Sequence, residues 1–184
     1  MSRQVLSERL WSVPVAVADI PDTGRQVELV ADPATREAIA RSAGLLALPR
    51  LEATFELTRQ GTDAAHVVGR VGAIVRQSCV VTLEPVESEI DEAVDLRFTP
   101  AVEASREEGG ASFNSLDAEE PPEPLHDGTI DLGAIAIEFL LLGIDPYQRK
   151  PGAVFDAPQV TDDSSGRPFA ALAALKKDPT SKGE

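Results

Sequence analysis

Alternating apolar and polar residues mark several strands along the chain. The clearest run extends from Leu51 to Thr58, where every second residue is apolar. A period of two is typical of a strand that buries one face. Similar patterns predict further strands over residues 11–17, 25–30, 65–77 and 85–98. Because Pro14 cannot donate a hydrogen bond to a ladder, we expect the first of these at the edge or end of a sheet.

Two of these strands are predicted to form a hairpin, and their apolar positions define its register. Antiparallel partners must present apolar residues on the same face of the sheet. Pairing Val67 with Leu96 meets this condition, and the same register pairs Ala73 with Ile90. It also centres the turn immediately before Thr82. The register therefore predicts which side chains lie on the opposite, polar face.

That polar face carries the only local basic cluster that we expect, and its residues are Arg70, Arg76, Arg97 and His66. The register places Arg76 opposite Glu87 and His66 opposite Arg97. One interpretation is a solvated sheet face that neighbouring carboxylates partly neutralise. The other is a binding surface, since apolar residues mixed with arginines on one face suit an interface.

Helices are predicted at three places. Asp32 is a suitable N-cap with Pro33 in the first turn, and Gly44 is expected to end that helix. Asp131 is predicted to cap a second helix, apolar around most of its circumference, that ends at Gly143 and packs into the core. A short amphipathic stripe containing Phe169 predicts a third helix over residues 168–177. That helix docks either on its own domain or on a partner.

The pattern as a whole predicts an α+β fold. We expect a curved antiparallel β-sheet or partial barrel, two to three helices and a long acidic loop. A single domain is predicted over residues 1–145, and residues 146–184 are expected to be mostly a flexible tail. Residues 99–127 are rich in acidic, Pro, Ser and Gly residues, and this composition predicts a mobile acidic loop. We interpret the loop as a solvated excursion in preference to a mimic of nucleic acid.

Composition narrows the classes of partner. The 184 residues carry a formal net charge of −14, which opposes passive adhesion to phosphate backbones and suits a basic protein partner. Hydrophobic residues make up 42% but aromatics only 4%, so an aliphatic core is expected. The sequence has no apolar run long enough to span a bilayer and no secretory signal, which indicates no membrane partner and a cytoplasmic location. We expect a monomer.

The sequence shows no constellation of catalytic or metal-binding residues. Cys79 is the only cysteine, and Thr82 stands where a Cys-x-x-Cys partner would lie. A structural zinc ion needs four ligands, and His66 and His126 are distant in sequence. The paired carboxylates lie in the predicted mobile loop, and no glycine-rich phosphate loop is present. We therefore expect no enzyme activity, no metal and no cofactor.

Three segments in a fixed order carry a resemblance to a known family. They are the turn and acidic strand of residues 79–100, the cap and apolar helix of residues 128–146, and the ending of residues 167–176. The residues that carry the motif are Cys79, Glu84, Pro85, Asp131 and Phe169. Together the segments resemble the YceD family, also called large ribosomal RNA subunit accumulation proteins. Many members of that family have a Cys-x-x-Cys turn and another Cys after the helix, whereas this chain keeps only Cys79.

The resemblance implies a role in the synthesis, processing or accumulation of large-subunit ribosomal RNA. The leading hypothesis is a non-catalytic factor that supports ribosome assembly by binding this RNA, basic ribosomal or assembly proteins, or both. A second hypothesis is an acidic chaperone of one basic ribosomal protein, without RNA contact. A third and less favoured hypothesis is an RNA-processing enzyme.

Overall fold

A five-stranded sheet, whose neighbouring strands follow one another in chain order, forms the framework. The structure is a computed structural model, and it describes residues 10–100, 122–125 and 127–155. The strands are β2 (Arg25–Val30), β3 (Ala47–Gln60), β4 (Ala64–Ser78), β5 (Pro85–Pro100) and β6 (Glu123–Leu125). A separate pair joins β1 (Pro14–Ala16) to β7 (Thr129–Asp131), and the helices are the 3₁₀ turn Val17–Asp19, α1 (Pro33–Ala43) and α2 (Leu132–Gly143).

The predicted hairpin register is confirmed. Strands β4 and β5 pair antiparallel with Val67 opposite Leu96 and Ala73 opposite Ile90. Ser78 faces Pro85 at the closed end, so the turn is centred immediately before Thr82 as expected. The register is well specified because one face of both strands is buried, and a slip of one residue would expose that whole apolar set.

The α+β class is confirmed, but the expectation of an antiparallel sheet is wrong. The sheet is mixed, because β6 pairs parallel with β5, with Phe98 opposite Glu123. It is also open, with β2 and β6 at its two edges and no closure into a barrel. Three-residue β6 contains Pro124, which cannot donate to a ladder, so its sequence gives no alternating signal.

The first predicted strand is shorter in the structure than its pattern. Residues 11–17 alternate, yet only Pro14–Ala16 are extended, and a 3₁₀ turn begins at Val17. The partner strand β7 is itself three residues long, so it offers only three pairing positions. Pro14 lies at the end of this two-stranded sheet, which agrees with the expectation for a proline.

Some predictions concern residues that the structure describes only in part. The predicted acidic loop of residues 99–127 lies mostly outside the described residues. Its ends are ordered differently from the prediction, because residues 99 and 100 belong to β5 and residues 123–125 form β6. The predicted helix over residues 168–177, with Phe169, lies outside the described residues, as does His126. The domain boundaries stay a prediction.

Both predicted helix starts are confirmed in atomic detail. Asp32 accepts backbone N–H bonds from Ala34 and Thr35 at 2.9 and 3.0 Å, and its second oxygen accepts the Thr35 hydroxyl at 2.7 Å. These bonds lower the pKa of Asp32, the Thr35 hydroxyl most of all. Gly44 ends α1 in the left-handed region at φ 69°, where a side chain would be strained.

Asp131 joins the start of α2 to the segment before β1. Its carboxylate accepts backbone N–H bonds from Gly133 and Ala134 at 3.0 and 3.2 Å. The same side chain accepts the backbone N–H of Val13 at 2.8 Å and the hydroxyl of Ser12 at 2.6 Å. One carboxylate therefore caps α2 and also binds the segment that precedes β1. No helix among the described residues is both long and apolar enough to cross a bilayer.

The two faces of the large sheet have different neighbours. On the inner face, aliphatic side chains of β3, β4 and β5 share one core with buried residues of both helices, including Ile39 of α1 and Leu140 of α2. Phe55, at 0% exposure, is the largest side chain at the centre of this core. The outer face consists of the alternate residues of β2 to β5, and no described helix covers it. It is the surface on which the predicted basic cluster lies.

Candidate functional site

The outer face is built as rows of side chains that run across the strands. One row joins Glu28, Thr54, Arg70 and Ala93, since each residue is paired directly with the next. Directly opposed residues in neighbouring strands share a face and lie close enough for their side chains to interact. Charged groups can therefore meet within a row or diagonally between neighbouring rows.

Arg70 is held by an acidic partner within the face. Its Nε and one terminal nitrogen donate to the two carboxylate oxygens of Asp91 at 2.9 and 2.8 Å. This two-point bond raises the pKa of Arg70 and lowers the pKa of Asp91. The planar guanidinium group matches a carboxylate in this geometry, so Arg70 is oriented along the sheet surface.

The other predicted residues of the basic cluster lie at two positions along the hairpin. Arg76 donates to Glu87 at 2.8 Å, which is the cross-strand pair that the register predicts. His66 Nε2 lies 2.6 Å from Asp95, and the His66 side chain is 26% exposed. Arg97 is paired opposite His66 and has interaction partners of its own. The structure thus brings all four predicted residues to one face, where they are spread along the length of the hairpin.

A further basic residue, Arg50, also lies on this face and was not predicted from the sequence. It lies on β3 opposite Ile74, and Ile74 is opposite Glu89 on β5. One terminal nitrogen of Arg50 donates to Glu89 at 2.6 Å, and the other lies 3.7 Å from a carboxylate oxygen of Glu52. Continuing the alternation of residues 51–58 backward by one position would have placed Arg50 on this face.

A shallow depression lies near the middle of the outer face. Its volume is about 710 Å³, and its floor includes Gly72. Gly72 is opposite Glu52 on one side and Asp91 on the other, so a residue without a side chain separates two carboxylates. This depression was not predicted from the sequence, because a glycine inside a strand pattern does not show which side chains surround it.

Carboxylates outnumber guanidinium groups on the outer face. The outward carboxylates of β2 to β5 are Glu28, Glu52, Glu56, Glu87, Glu89, Asp91 and Asp95, and the outward guanidinium groups are Arg50, Arg70, Arg76 and Arg97. Glu87, Glu89 and Asp91 each lie within an ion pair with an arginine, and Asp95 contacts His66. The face therefore presents ion pairs together with an excess of negative charge.

The turn after β4 surrounds the single cysteine with backbone donors. Cys79 is buried at 0% exposure, and its sulfur accepts N–H bonds from Val81 and Thr82 at 3.4 Å each. A third N–H, from Lys150, reaches the sulfur at 3.3 Å. The Lys150 N–H first, then the Thr82 hydroxyl and the N–H groups of Thr82 and Val81, lower the pKa of Cys79 from 9.0 to about 6, while burial acts in the opposite direction. Three N–H dipoles aimed at one sulfur favour its thiolate form.

The segment after α2 fastens this turn from outside the hairpin. The Lys150 ammonium donates to Glu84 at 2.8 Å, and this bond raises the pKa of Lys150 and lowers the pKa of Glu84. The backbone N–H of Val80 donates to the carbonyl of Gln148 at 3.0 Å. Glu84 and Cys79, two of the motif residues, therefore contact the same short segment. The sequence could not show this contact, because the partners are far apart along the chain.

A family model described as the large ribosomal RNA subunit accumulation protein YceD matches residues 67–176 of the chain. This range includes the motif positions just described. The protein belongs to the YceD family. The match covers β4 from Val67 onward together with β5, β6, β7 and α2, and so it includes most of the hairpin and the Cys79 turn. No curated protein and no solved structure matches the chain.

The Cys-x-x-Cys turn of many YceD proteins raises the question of a metal here. Within residues 10–100, 122–125 and 127–155, no three His, Cys, Asp or Glu side chains are grouped so that they could hold a metal ion. The sulfur of Cys79 is directed at N–H donors, and the nearby charged group of Lys150 is a cation. The residues of the turn do not fit a metal, and no step is assigned to one.

Proposed function

We propose that the protein is a non-catalytic cytoplasmic factor that supports accumulation of large-subunit ribosomal RNA and assembly of the ribosome. It acts by binding protein, RNA or both. The YceD match gives the ribosome-related role. The observation that carries the binding proposal is the outer face, a broad surface of ordered ion pairs that no described helix covers. Ion pairs mixed with apolar residues such as Val68, which is 41% exposed, suit a surface for recognition.

Cys79, Asp131 and His66 each have a structural partner, which supports a role without catalysis. Cys79 accepts three backbone N–H bonds inside its turn, and Asp131 caps α2. His66 pairs with Asp95 near the other end of β4, roughly 40 Å from Cys79 at the rise of a strand. Side chains this far apart cannot act on one substrate atom.

The ratio of large-subunit to small-subunit ribosomal RNA tests this proposal. A clean deletion of the gene should lower the ratio, and expression of the wild-type chain should restore it. An unchanged ratio after deletion would count decisively against a role in large-subunit RNA accumulation. Incubation of the pure protein with precursor RNA is the companion experiment, and specific cleavage would contradict the absence of catalysis.

A second candidate is an acidic chaperone of one basic ribosomal protein, without RNA contact. The excess of carboxylates on the outer face favours it, because complementary charge steers and orients a basic partner. Affinity capture at low salt, with and without nuclease, separates the two candidates. Binding of a ribosomal protein that survives nuclease treatment supports the chaperone, and binding lost with the RNA supports an RNA contact. We expect the protein itself to be a monomer in both cases.

A further inference from the structure

The depression around Gly72 has the size of a binding site but an unusual lining. Its volume of about 710 Å³ falls within the range of roughly 300–1,000 Å³ that is usual for ligand sites. Charged side chains of four adjacent strands surround it, including Glu28, Arg50, Arg70 and Asp91. Sites for small cofactors are mostly apolar with a few polar groups. The lining therefore points to a strongly polar ligand.

The charges around the depression favour a cationic ligand over a phosphate. Both guanidinium groups on its rim already face carboxylates, Arg70 through two hydrogen bonds to Asp91 and Arg50 through Glu89. A phosphate would compete with these carboxylates and would also approach Glu28 and Glu52. Repulsion between like charges disfavours that approach.

An acidic triangle beside the depression offers positions for cationic side chains. Glu28 is paired opposite Thr54, and Glu52 and Glu56 are the diagonal neighbours of Glu28 on β3. Diagonal neighbours in a sheet lie roughly 7–8 Å apart, within reach of one long side chain. Among the described residues, neither Glu28 nor Glu56 forms an ion pair. A lysine or arginine above Thr54 would relieve the repulsion between the three carboxylates.

We infer that the depression and its acidic triangle bind a basic, extended segment of a protein partner, such as a Lys- and Arg-rich tail. An extended chain presents every second side chain to the sheet, so its cations can reach the carboxylates in succession. Val30, which is 73% exposed on edge strand β2, provides an apolar contact at the rim. This inference deepens the proposed function, because it names the class of partner and the surface, and it rests on that function.

Amide chemical shifts of the full chain test the inference with a defined probe. The probe is a synthetic peptide that alternates lysine and threonine over about eight residues, which at roughly 3.3 Å per residue spans the four strands. At low salt, we expect its largest shifts at amides of β2 to β4 around Gly72. A single-stranded RNA oligonucleotide is the comparison probe, and we expect no saturable shifts at this face.

Matched variants show whether the triangle itself binds the peptide. The test variant carries Glu28→Gln, Glu52→Gln and Glu56→Gln, which removes three charges and preserves side-chain size. The control carries Glu37→Gln, Glu123→Gln and Glu138→Gln, which removes the same charge at exposed sites outside the triangle. We expect affinity for the peptide to fall roughly tenfold in the test variant, the combined effect of three partly exposed ion pairs, and to stay within about twofold in the control.

Gly72 permits a steric test that leaves the charges in place. A Cβ on Gly72 would meet the Glu52 side chain at 3.6 Å, which is an ordinary contact, so Gly72→Val places an apolar side chain in the depression without a clash at the Cβ. We expect this variant to fold and to lose most peptide binding. The thermal midpoint of each variant confirms folding, and the Glu→Gln triple variant tests the inference independently of Gly72→Val.

Four outcomes would overturn the inference. They are equal peptide affinity in both triple variants, unchanged binding by Gly72→Val, saturable RNA shifts at the same amides, and concentration-dependent shifts there without peptide, which would indicate a second copy of the chain. The proposed function would be contradicted by a different result, namely a normal ratio of large-subunit to small-subunit ribosomal RNA after gene deletion. If deletion lowers the ratio and the peptide still fails to bind, only the docking inference is wrong.

Discussion

The two faces of the large sheet are made by the same strands but have different consequences for the molecule. The inner face of β4 packs aliphatic side chains at 0% exposure, including Val67, Val71 and Val75. The outer face of the same strand carries Arg70 and Arg76, whose ion pairs are open to water. Tightly packed interiors respond to the loss of single methylene groups, whereas exposed ion pairs add little to stability. The inner face therefore holds the fold, and the outer face can be reserved for recognition.

The largest effect should come from removing the central side chain of the inner face. Phe55→Ala deletes a fully buried ring between β2 and β4 and leaves a cavity. We expect the free energy of unfolding to fall by about 3–5 kcal/mol. Denaturant titration followed by far-UV circular dichroism measures this change. A loss below about 1 kcal/mol would mean that the inner face is not the core that it is taken to be.

A pair of glycines on β4 compares the faces within one strand. At Gly69, a Cβ would lie 2.2 Å from the Thr54 carbonyl oxygen and 2.8 Å from the Phe55 ring, so Gly69→Ala should destabilise by about 1–3 kcal/mol. At Gly72 the Cβ has room, and Gly72→Ala should be neutral or stabilise by up to about 1 kcal/mol, because glycine is unfavourable inside a strand. Equal effects at the two positions would break the comparison.

The Cys79 turn, at the end of β4, should make stability depend on pH. The folded pKa of about 6 lies below the ordinary 9.0, so between these values the unfolded chain binds a proton that the folded chain has released. Stability from the thiolate is then complete above pH 9, rises with pH between 6 and 9, and is lost as pH falls through about 6. Cys79→Ser removes this titration.

The measurement is the free energy of unfolding of the wild type minus that of Cys79→Ser across this pH range, under reducing conditions. The difference should increase with pH. A flat difference would show that the backbone donors do not stabilise a thiolate, and that the turn is held by its other contacts, such as the Lys150–Glu84 pair.

The smallest effect is expected on the outer face itself. Arg76 and Glu87 pair at 2.8 Å with side chains that are 47% and 51% exposed. A double-mutant cycle with Arg76→Gln and Glu87→Gln should give a coupling energy of at most about 1 kcal/mol, which falls with added salt. A coupling above about 2 kcal/mol would mean that the outer face contributes to the fold in its own right.

The sequence predicted what depends on alternation and caps. The alternation in β4 and β5 predicts the one register that buries the apolar residues of both strands. Asp32 and Asp131 predict where the two helices begin, because each is a suitable N-cap. Three-residue β6 and β7 were not predicted, since so few residues show no period. The predicted basic cluster lies on one face, and the Arg76–Glu87 pair follows from the register, but the Arg70–Asp91 and Arg50–Glu89 pairs depend on side-chain positions across β3 to β5. The contact between Lys150 and Cys79 was not predicted, because the two residues are far apart along the chain and meet only in the folded structure.

Genetic complementation tests the assignment of recognition to the outer face most directly. In a deletion strain with a lowered ratio of large-subunit to small-subunit ribosomal RNA, the two Glu→Gln triple variants are expressed at equal levels. We predict that the control with changes at Glu37, Glu123 and Glu138 restores the ratio, and that the variant with changes at Glu28, Glu52 and Glu56 does not. Restoration by both variants, or by neither, would contradict the account.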